Sequence, residues 1–276
     1  MRTASRTVIY IVGLSHSGST VLDMMLTTGG KAVGMGQIWT VLREDPARRL
    51  TRVCSCGASA PECPVWGPVI ARLGEAGAPS EPSDRYELVL QSVARHYGSE
   101  LAIIDSSKHA SHLAILAEIP DLQLKVLHNI KDVRAFTIST LDNAKRKTNK
   151  RLLPEKVFLQ WYRDNRNSYT EATRALGQPP HRVMYEGLCL ATDRVTERLA
   201  EALGENYIDA EAPLSSGHTH IIAGNRLSQR QEVKSKPLAY DYRWLMRSEW
   251  LRPYALLPIV RHYNERCLRE LTSVAQ

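Results

Sequence analysis

The sequence predicts an α/β fold in which a central parallel sheet carries helices on both faces. Apolar runs of strand length alternate along the chain with segments whose apolar residues recur at helical spacing. Such alternation is typical of a parallel sheet covered by helices. No internal repeat, low-complexity segment or Pro/Gly/Ser-rich linker divides the chain, so we expect residues 1–276 to form a single domain.

Five strands are predicted from runs of apolar and β-branched residues. Residues 7–12 (Thr-Val-Ile-Tyr-Ile-Val) run directly into a glycine turn, and residues 101–105 (Leu-Ala-Ile-Ile-Asp) end in a polar cluster. The others are residues 31–35, 122–130 and 182–186. A helix follows the first strand and its turn, and this order aims helix N–H groups at whatever lies over the turn.

Helices are predicted where apolar residues return at helical spacing. They cover residues 21–26, 84–97, 113–117, 133–145, 155–176, 195–203 and most of 241–274. Gly204 ends the helix that begins at residue 195. Residues 52–66 are rich in Cys, Gly and Pro without periodicity, which predicts a cysteine-containing loop excursion from the domain.

Composition and charge exclude several classes of protein. The 276 residues include 36 Lys+Arg against 29 Asp+Glu, a net charge of +7, and 43% are hydrophobic, which excludes a disordered chain. No apolar run approaches the length of about 20 residues that a membrane helix needs, so no membrane partner is expected. The positive charge fits a polyanionic ligand. Aromatic residues are only 7% and do not interleave with basic runs, so no nucleic-acid partner is expected.

The start of the chain and its cysteines predict a cytoplasmic location. The N-terminus carries two arginines but no signal peptide with a cleavage site. Five cysteines are few and odd in number, which argues against a disulfide framework and fits a reducing compartment.

A glycine turn follows the first predicted strand. Gly13-x4-Gly18-Ser19-Thr20, called here the glycine loop (residues 13–20), has the spacing of the nucleotide P-loop but carries serine in place of its lysine. Backbone N–H groups in such a loop can hold a phosphate or sulfate group. Without the lysine that reaches the β- and γ-phosphates, the loop suits a single 5′-phosphate or a phosphosulfate. The alternative is a glycine turn without a ligand.

Several motifs resemble one enzyme family. Residues 15–20 (Ser-His-Ser-Gly-Ser-Thr) resemble the 5′-phosphosulfate loop of sulfotransferases that use 3′-phosphoadenosine 5′-phosphosulfate (PAPS). Residues 130–139 match the spacing of that family's second element, which binds the 3′-phosphate. Further matches occur in order: residues 54–66 with a cysteine loop of some bacterial members, 104–108 with a D-S-S-K strand end, 185–186 with a Y-E pair, and 220–226 with a late H-x3-G-N loop.

The resemblance implies a P-loop-like sulfotransferase fold and a reaction. It implies transfer of a sulfuryl group from PAPS, with no metal expected, to a hydroxyl of a carbohydrate or small-molecule natural product. His16 and Lys108 are the implied catalytic residues. The implied donor-binding residues are Ser15, His16, Ser17, Gly18, Ser19 and Thr20 in the glycine loop, with Lys131, Ser139, Gly224, Asn225 and Arg226.

Two residues depart from the family pattern. His16 stands where the family normally has Arg or Lys, and an imidazole with an ordinary pKa of about 6.5 carries only a conditional charge. Gln37 stands where carbohydrate and tyrosyl sulfotransferases often have a glutamate as general base, and an amide does not accept a proton at neutral pH. The candidate replacements for the base are His109, Glu44 and Asp45.

The basic residues have structural alternatives. Lys108 lies at the carboxyl end of a predicted strand, where α/β sheets bind ligands. The structural alternative is a surface lysine at the start of a helix. Lys131 and Arg134 at a helix start oppose the helix dipole, which favours an anion between them over two solvated charges. Asp105 is expected to cap a turn or orient Lys108. The basic residues 145–151 are expected to be a solvated helix end, with an anionic acceptor as the alternative.

Three cysteines lie in the predicted loop excursion. A structural zinc site usually pairs its ligands at C-x2–4-C spacing, whereas Cys54, Cys56 and Cys63 form a C-x-C followed by one further cysteine, with no nearby histidine. We therefore expect a reduced, packed loop or an occasional disulfide. A metal role for His218 and His220 has only their proximity in its favour, so no metal ligand is predicted.

Two other functions compete with sulfuryl transfer. A magnesium-dependent nucleoside kinase or NTPase is disfavoured by the missing lysine and by the lack of a magnesium-binding strand-end aspartate other than Asp105. A non-catalytic relative that only binds a nucleotide is indicated by His16 and Gln37. The sequence predicts neither the particular acceptor nor the oligomeric state.

Overall fold

The computed structural model describes residues 6–149, 151–224 and 238–272. Two of the predicted donor-binding residues, Asn225 and Arg226, lie outside the described residues. Within these ranges, no helix combines the length and the apolar character that crossing a membrane requires.

The centre of the fold is a six-stranded sheet in which all neighbouring strands pair in parallel. The strands are β1 (Arg6–Gly13), β2 (Ala32–Gly34), β3 (Ala102–Lys108), β4 (Leu122–Ile130), β5 (His181–Met184) and β6 (His218–Thr219). Their order across the sheet is β5-β4-β1-β3-β2-β6, so β1 is flanked by β4 and β3.

Helices surround this sheet. They are α1 (Ser19–Met25), α2 (Ile38–Arg43), α3 (Pro46–Leu50), α4 (Trp66–Gly74), α5 (Pro82–Tyr97), α6 (Leu113–Ala117), α7 (Val133–Thr148), α8 (Pro154–Leu176), α9 (Tyr185–Leu190), α10 (Thr192–Leu203), α11 (Leu251–Leu256) and α12 (Pro258–Thr272). Short 3₁₀ turns cover Ala110–His112 and Arg243–Met246.

Residues of β1 alternate between two hydrophobic cores. Val8, Tyr10 and Val12 pack with α2, α4, α5 and α6 on one face of the sheet. Ile9 and Ile11 pack with α1, α9 and α10 on the other face. All five side chains are fully buried, and a strand covered on both faces has a continuous apolar sequence. The predicted parallel α/β sheet with helices on both faces is confirmed.

The predicted elements agree with the structure to different degrees. The predicted strand at 122–130 and helix at 113–117 coincide with β4 and α6. The predicted strand at 182–186 is wrong at its end, because the chain leaves the sheet after Met184 and α9 begins at Tyr185. That change of direction brings Tyr185 towards the glycine loop.

The predicted loop excursion at 52–66 is largely irregular. It contains an isolated antiparallel bridge between Val53 and Ser59, and Trp66 begins α4. Helices α2, α3 and α4 around it are missing from the sequence-based prediction. The first two are short, with six and five residues.

The strand order creates a switch point at the carboxyl end of β1. The chain passes from β1 to β2 on one side of the sheet and from β3 to β4 across to the other side. Ligands of open α/β sheets bind in the crevice that such a reversal leaves. The glycine loop after β1, Lys108 at the end of β3 and Lys131 just after β4 therefore gather at this edge.

Candidate active site at the carboxyl ends of the strands

The glycine loop depends on close backbone approaches. Gly13 has φ +147°, and a Cβ placed on it would lie 2.3 Å from the carbonyl oxygen of Asn129 in β4. Gly18 has φ +91°, and its Cβ would lie 2.5 Å from the ring of Tyr185. Both positions therefore require glycine, in conformation and in space.

The same loop is held by side-chain hydrogen bonds. The amide Nδ2 of Asn129 donates to the carbonyl oxygen of Ser17 at 3.0 Å, and the Ser17 hydroxyl donates to the carbonyl of Leu14 at 2.7 Å. Ser17, Ser19 and Thr20 are buried, whereas Ser15 is exposed. Among the described residues, no acceptor faces the backbone N–H groups of residues 18–20, which leaves them available to an anion.

Lys108 brings a buried cation to this edge of the sheet. It is 8% exposed with φ +76°, and its ammonium donates to the Ser106 carbonyl at 3.3 Å. Burial lowers the pKa of Lys108 to about 8, while Asp23 and Asp105 act in the opposite direction. The ammonium has three donors and a single hydrogen bond within the described ranges, so it can bind a further acceptor.

Two buried carboxyl groups shape the end of β3. Asp105 accepts from the Ser107 N–H at 2.8 Å, which agrees with the expected turn-capping role. Asp23 of α1 accepts from the Ser106 hydroxyl at 2.7 Å and from the Gly36 N–H at 3.1 Å. Burial raises the pKa of both carboxyl groups to about 7. Sequence reasoning missed Asp23, although an acid inside the apolar run Val-Leu-Asp-Met-Met was a signal for it.

His16 lies in a cationic environment. It is half-buried, and its backbone adopts φ +73°, which is uncommon for a residue with a side chain. Burial lowers the pKa of His16, and the positive charges of Lys147, Lys108, Lys131 and Arg146 lower it further. The imidazole is therefore neutral at neutral pH and acts as a hydrogen-bond donor or acceptor rather than as a cation.

Lys131 approaches the glycine loop through Tyr185. Its ammonium is buried, lies 3.5 Å from a carboxylate oxygen of Asp241, and sits 4.4 Å from the centre of the Tyr185 ring. The same ring packs against Gly18. The glycine loop and Lys131 thus both contact the ring of Tyr185.

Arg134 does not share this role. Its guanidinium pairs with Asp132, at 2.6 Å, and lies 4.2 Å from the centre of the Trp244 ring. Asp132 caps α7 by accepting from the Arg134 N–H at 2.7 Å. The expectation that an anion between Lys131 and Arg134 offsets the helix dipole is therefore wrong for Arg134, because Asp132 already supplies the negative charge.

The remaining predicted donor-binding residues have different outcomes. A Cβ on Gly224 would lie 3.9 Å from the Thr20 hydroxyl, so the late loop does reach the glycine loop. Ser139 lies half-buried in the second turn of α7 and forms no hydrogen bond with the glycine loop in the described part of the chain. Its contact with a 3′-phosphate stays a prediction.

The expected bases differ in availability. The Glu44 carboxylate forms ion pairs with Arg52 and with Arg48, and its distance to Arg48 is 2.8 Å. The Asp45 carboxylate caps α3 by accepting from the Ala47 N–H at 2.9 Å. The ring of His109 is exposed, forms no hydrogen bond among the described residues, and follows Lys108 directly.

Gln37 lies at the same edge of the sheet. Its backbone N–H donates to the carbonyl of Ala223 at 3.0 Å, and its Oε1 accepts from Thr40 at 3.1 Å. The preceding Gly36 accepts from the Ser106 N–H at 2.7 Å, so Gln37 is tied to the end of β3.

The loop cysteines have a partner that sequence reasoning missed. His220 lies against Cys54 and Cys63. The expectation that no histidine lies near these cysteines is therefore wrong, because it considered only distance along the sequence. The histidine and the cysteines are more than 150 residues apart in the chain, and no local pattern joins them.

Comparisons with known proteins add a likeness of fold. No family model and no curated protein sequence matches the chain. Among solved structures, the sulfotransferase domain from the Synechococcus PCC 7002 olefin synthase is similar at 15% identity, covering 100% of this chain and 98% of that chain with a TM-score of 0.47.

Two further solved structures are similar. The sulfotransferase domain from the curacin biosynthetic pathway covers 93% of this chain and 99% of that chain, at 14% identity and a TM-score of 0.43. A sulfotransferase from Mycobacterium avium covers 74% of this chain and 64% of that chain, at 16% identity and a TM-score of 0.42. At these identities and scores the function has to be judged from the residues of the site.

Proposed function

We propose that this protein transfers the sulfuryl group of PAPS to a hydroxyl of a carbohydrate or small-molecule acceptor. The observation that carries the proposal is the placement of the glycine loop, Lys108 and Lys131 at one switch point, with Tyr185 in contact with both the loop and Lys131. A donor with a phosphosulfate at one end and a 3′-phosphate at the other requires two such anion-binding elements.

The two ends of the donor are assigned to different residues. The backbone N–H groups of residues 18–20 bind the 5′-phosphosulfate, with Lys108 next to the sulfuryl group. Lys131 binds the 3′-phosphate and exchanges its ion pair with Asp241 for it. The predicted contacts of Ser139, Gly224, Asn225 and Arg226 belong to the same end. Ordinary adenylates lack a 3′-phosphate, so this element sets the donor specificity.

The reaction is an in-line displacement at sulfur. The acceptor oxygen attacks the sulfur atom, the bond from sulfur to the bridging phosphate oxygen breaks, and adenosine 3′,5′-bisphosphate leaves with the bond's electron pair. Lys108 and a neutral His16 donate to the oxygens of the migrating group and to the leaving oxygen. A positioned cation and N–H groups supply this stabilisation where a P-loop enzyme uses lysine and magnesium.

The acceptor hydroxyl must lose its proton to a base. His109 takes this role in our proposal, because Glu44 is held in ion pairs and Asp45 in a helix cap. The exposed imidazole of His109 lies one residue beyond Lys108 and can exchange the proton with water.

Ligand-induced stabilisation tests the donor. Thermal unfolding is measured with adenosine 3′,5′-bisphosphate, with 5′-AMP and with MgATP. At a ligand concentration of 100 Kd, a ligand that binds the native state adds about 2.7 kcal/mol of stability. We expect this effect for the bisphosphate and much less for 5′-AMP. Stabilisation by MgATP but not by the bisphosphate would contradict the proposal and favour a kinase or NTPase.

A transfer assay separates an enzyme from a binding protein. PAPS labelled in the sulfuryl group is incubated with panels of carbohydrate and natural-product hydroxyls. Labelled product with wild type, and none with the Lys108→Met variant, is the expected result. Donor binding without transfer to any acceptor would indicate the non-catalytic relative instead.

A further inference from the structure

A second cluster of reactive side chains lies outside the proposed donor site. The sulfur atoms of Cys54, Cys56 and Cys63 and a ring nitrogen of His220 all lie within 4.8 Å of one another. Cys54 and Cys63 are buried with His220, whereas Cys56 is exposed. All three cysteines are free thiols.

The distances within this cluster fit one tetrahedral ion. The sulfur of Cys63 lies 3.6 Å from that of Cys54 and 4.0 Å from that of Cys56. The Nδ1 of His220 lies 3.2 Å from the Cys63 sulfur and 3.7 Å from the Cys54 sulfur. Bond lengths of about 2.3 Å for Zn–S and about 2.0–2.1 Å for Zn–N in a tetrahedron give edges of about 3.8 Å and about 3.6 Å. We propose that Cys54, Cys56, Cys63 and His220 bind a single Zn²⁺ ion.

The surroundings of the cluster orient its ligands. The Nε2 of His220 lies 2.7 Å from the hydroxyl of Tyr97, so an imidazole that binds the metal through Nδ1 can carry its proton on Nε2 and donate it to this hydroxyl. The backbone N–H of Trp66 donates to the Cys63 sulfur at 3.4 Å, a contact that stabilises a thiolate. The Trp66 indole N–H donates to the His220 carbonyl at 2.5 Å, which fixes the histidine backbone.

The ligand set identifies the kind of metal site. Three thiolates and one imidazole in a tetrahedron are typical of zinc rather than of the hard, oxygen-binding cations. All four positions are filled by the protein, so no position stays open for water or a substrate, and the site is structural. Binding converts three thiols to thiolates and releases their protons to solvent.

The metal would join two segments that are distant in the sequence. The cysteine loop already pairs with the chain beyond β6, because the Ser55 N–H donates to the Ile221 carbonyl at 3.0 Å and the Ile221 N–H donates to the Ser55 hydroxyl at 2.9 Å. Three residues further on, Gly224 reaches the Thr20 hydroxyl. Zinc therefore holds the start of the late loop against the glycine loop. Only this last consequence, support of the donor-covering loop, rests on the proposed function.

Metal analysis of the purified full-length protein tests the site. We expect about one zinc per chain by inductively coupled plasma mass spectrometry, and a tetrahedral, thiolate-bound cobalt spectrum after exchange with Co²⁺. Cys56→Ser removes an exposed ligand without opening the core, and it should lose the zinc. The matched control, Cys189→Ser, changes a thiol outside the cluster and should keep it. Tyr97→Phe keeps the ring and should weaken zinc binding about 10- to 100-fold.

Several outcomes would overturn the metal site. They are a folded wild-type protein that neither contains nor takes up zinc or cobalt, a chain that carries iron instead, and a Cys54–Cys63 disulfide found by mass spectrometry of the unreduced protein. Equal zinc content in Cys56→Ser and wild type would also refute it. Adenosine 3′,5′-bisphosphate binding is measured on the same samples, so a zinc-loaded protein that ignores this ligand keeps the metal site and loses only the proposed function.

Discussion

Removal of the Lys131 ammonium is the most direct perturbation of the donor assignment. The side chain is 5% exposed and lies 3.5 Å from the Asp241 carboxylate, so an incoming phosphate must replace an existing ion pair. At an effective dielectric constant of about 20, one charge pair at that distance is worth about 5 kcal/mol. A phosphate carries up to about one more negative charge than the carboxylate it replaces. After desolvation, a net gain of about 2–3 kcal/mol remains, the range of a charged hydrogen bond.

The Lys131→Ala variant should therefore bind adenosine 3′,5′-bisphosphate about 30- to 150-fold more weakly than wild type. Binding of 5′-AMP, which lacks the 3′-phosphate, should change less than about threefold, and isothermal titration calorimetry measures both. Lys31→Ala is the matched control, because Lys31 pairs with Glu205 before the start of β2, at the opposite edge of the sheet. An equal loss for the two nucleotides, or no loss for the bisphosphate, would refute the assignment of Lys131 to the 3′-phosphate.

Three further predictions concern the sulfuryl end of the site. Burial lowers the pKa of Lys108 to about 8, so its ammonium is present below that pH and lost above it. The kcat/KM of wild type should fall as the pH rises through about 8, and Lys108→Arg, which stays protonated, should lack this fall. Gly18→Ala should abolish bisphosphate binding in calorimetry, because its Cβ would lie 2.5 Å from a tyrosine ring. In the control, Gly30→Ala, the residue has φ +72° and open space around it, so the free energy of unfolding should fall by about 1–3 kcal/mol while binding is kept. His109→Gln should lower kcat about 10²- to 10⁴-fold with unchanged bisphosphate binding. Glu44→Gln should lower the thermal midpoint but keep most of kcat. A large loss of kcat in Glu44→Gln and none in His109→Gln would exclude His109 as the base.

The sheet and the edge that carries the candidate site were predictable because they depend on local sequence. The central strands are continuous apolar runs, and β4 coincides with its predicted bounds at Leu122–Ile130. In a parallel sheet, carboxyl ends meet at one edge, so the segments after β1, β3 and β4 had to gather there. The positions of the glycine loop, Lys108 and Lys131 followed from that topology without knowledge of any side-chain contact.

The parts that could not be predicted depend on partners far away in the chain. Arg134 has the spacing of a ligand-binding residue, yet it lies over Trp244, more than 100 residues later. Cys63 meets His220 across 157 residues, and no spacing rule connects two such segments. Each of these contacts is set by tertiary packing rather than by local propensity.

The positive charge around His16 explains how a histidine can occupy this position of the glycine loop, where the family that the sequence resembles has Arg or Lys. Burial and the nearby charges of Lys108, Lys131, Lys147 and Arg146 all lower its pKa, so a charged His16 would add one more cation to a crowded pocket. A neutral imidazole avoids that repulsion and still donates one hydrogen bond. The fixed positive charge then comes from Lys108, whose pKa of about 8 keeps most of it protonated at neutral pH. The proposed sulfuryl transfer needs less charge compensation than phosphoryl transfer, and in that proposal one such cation, a neutral donor and the loop N–H groups supply it.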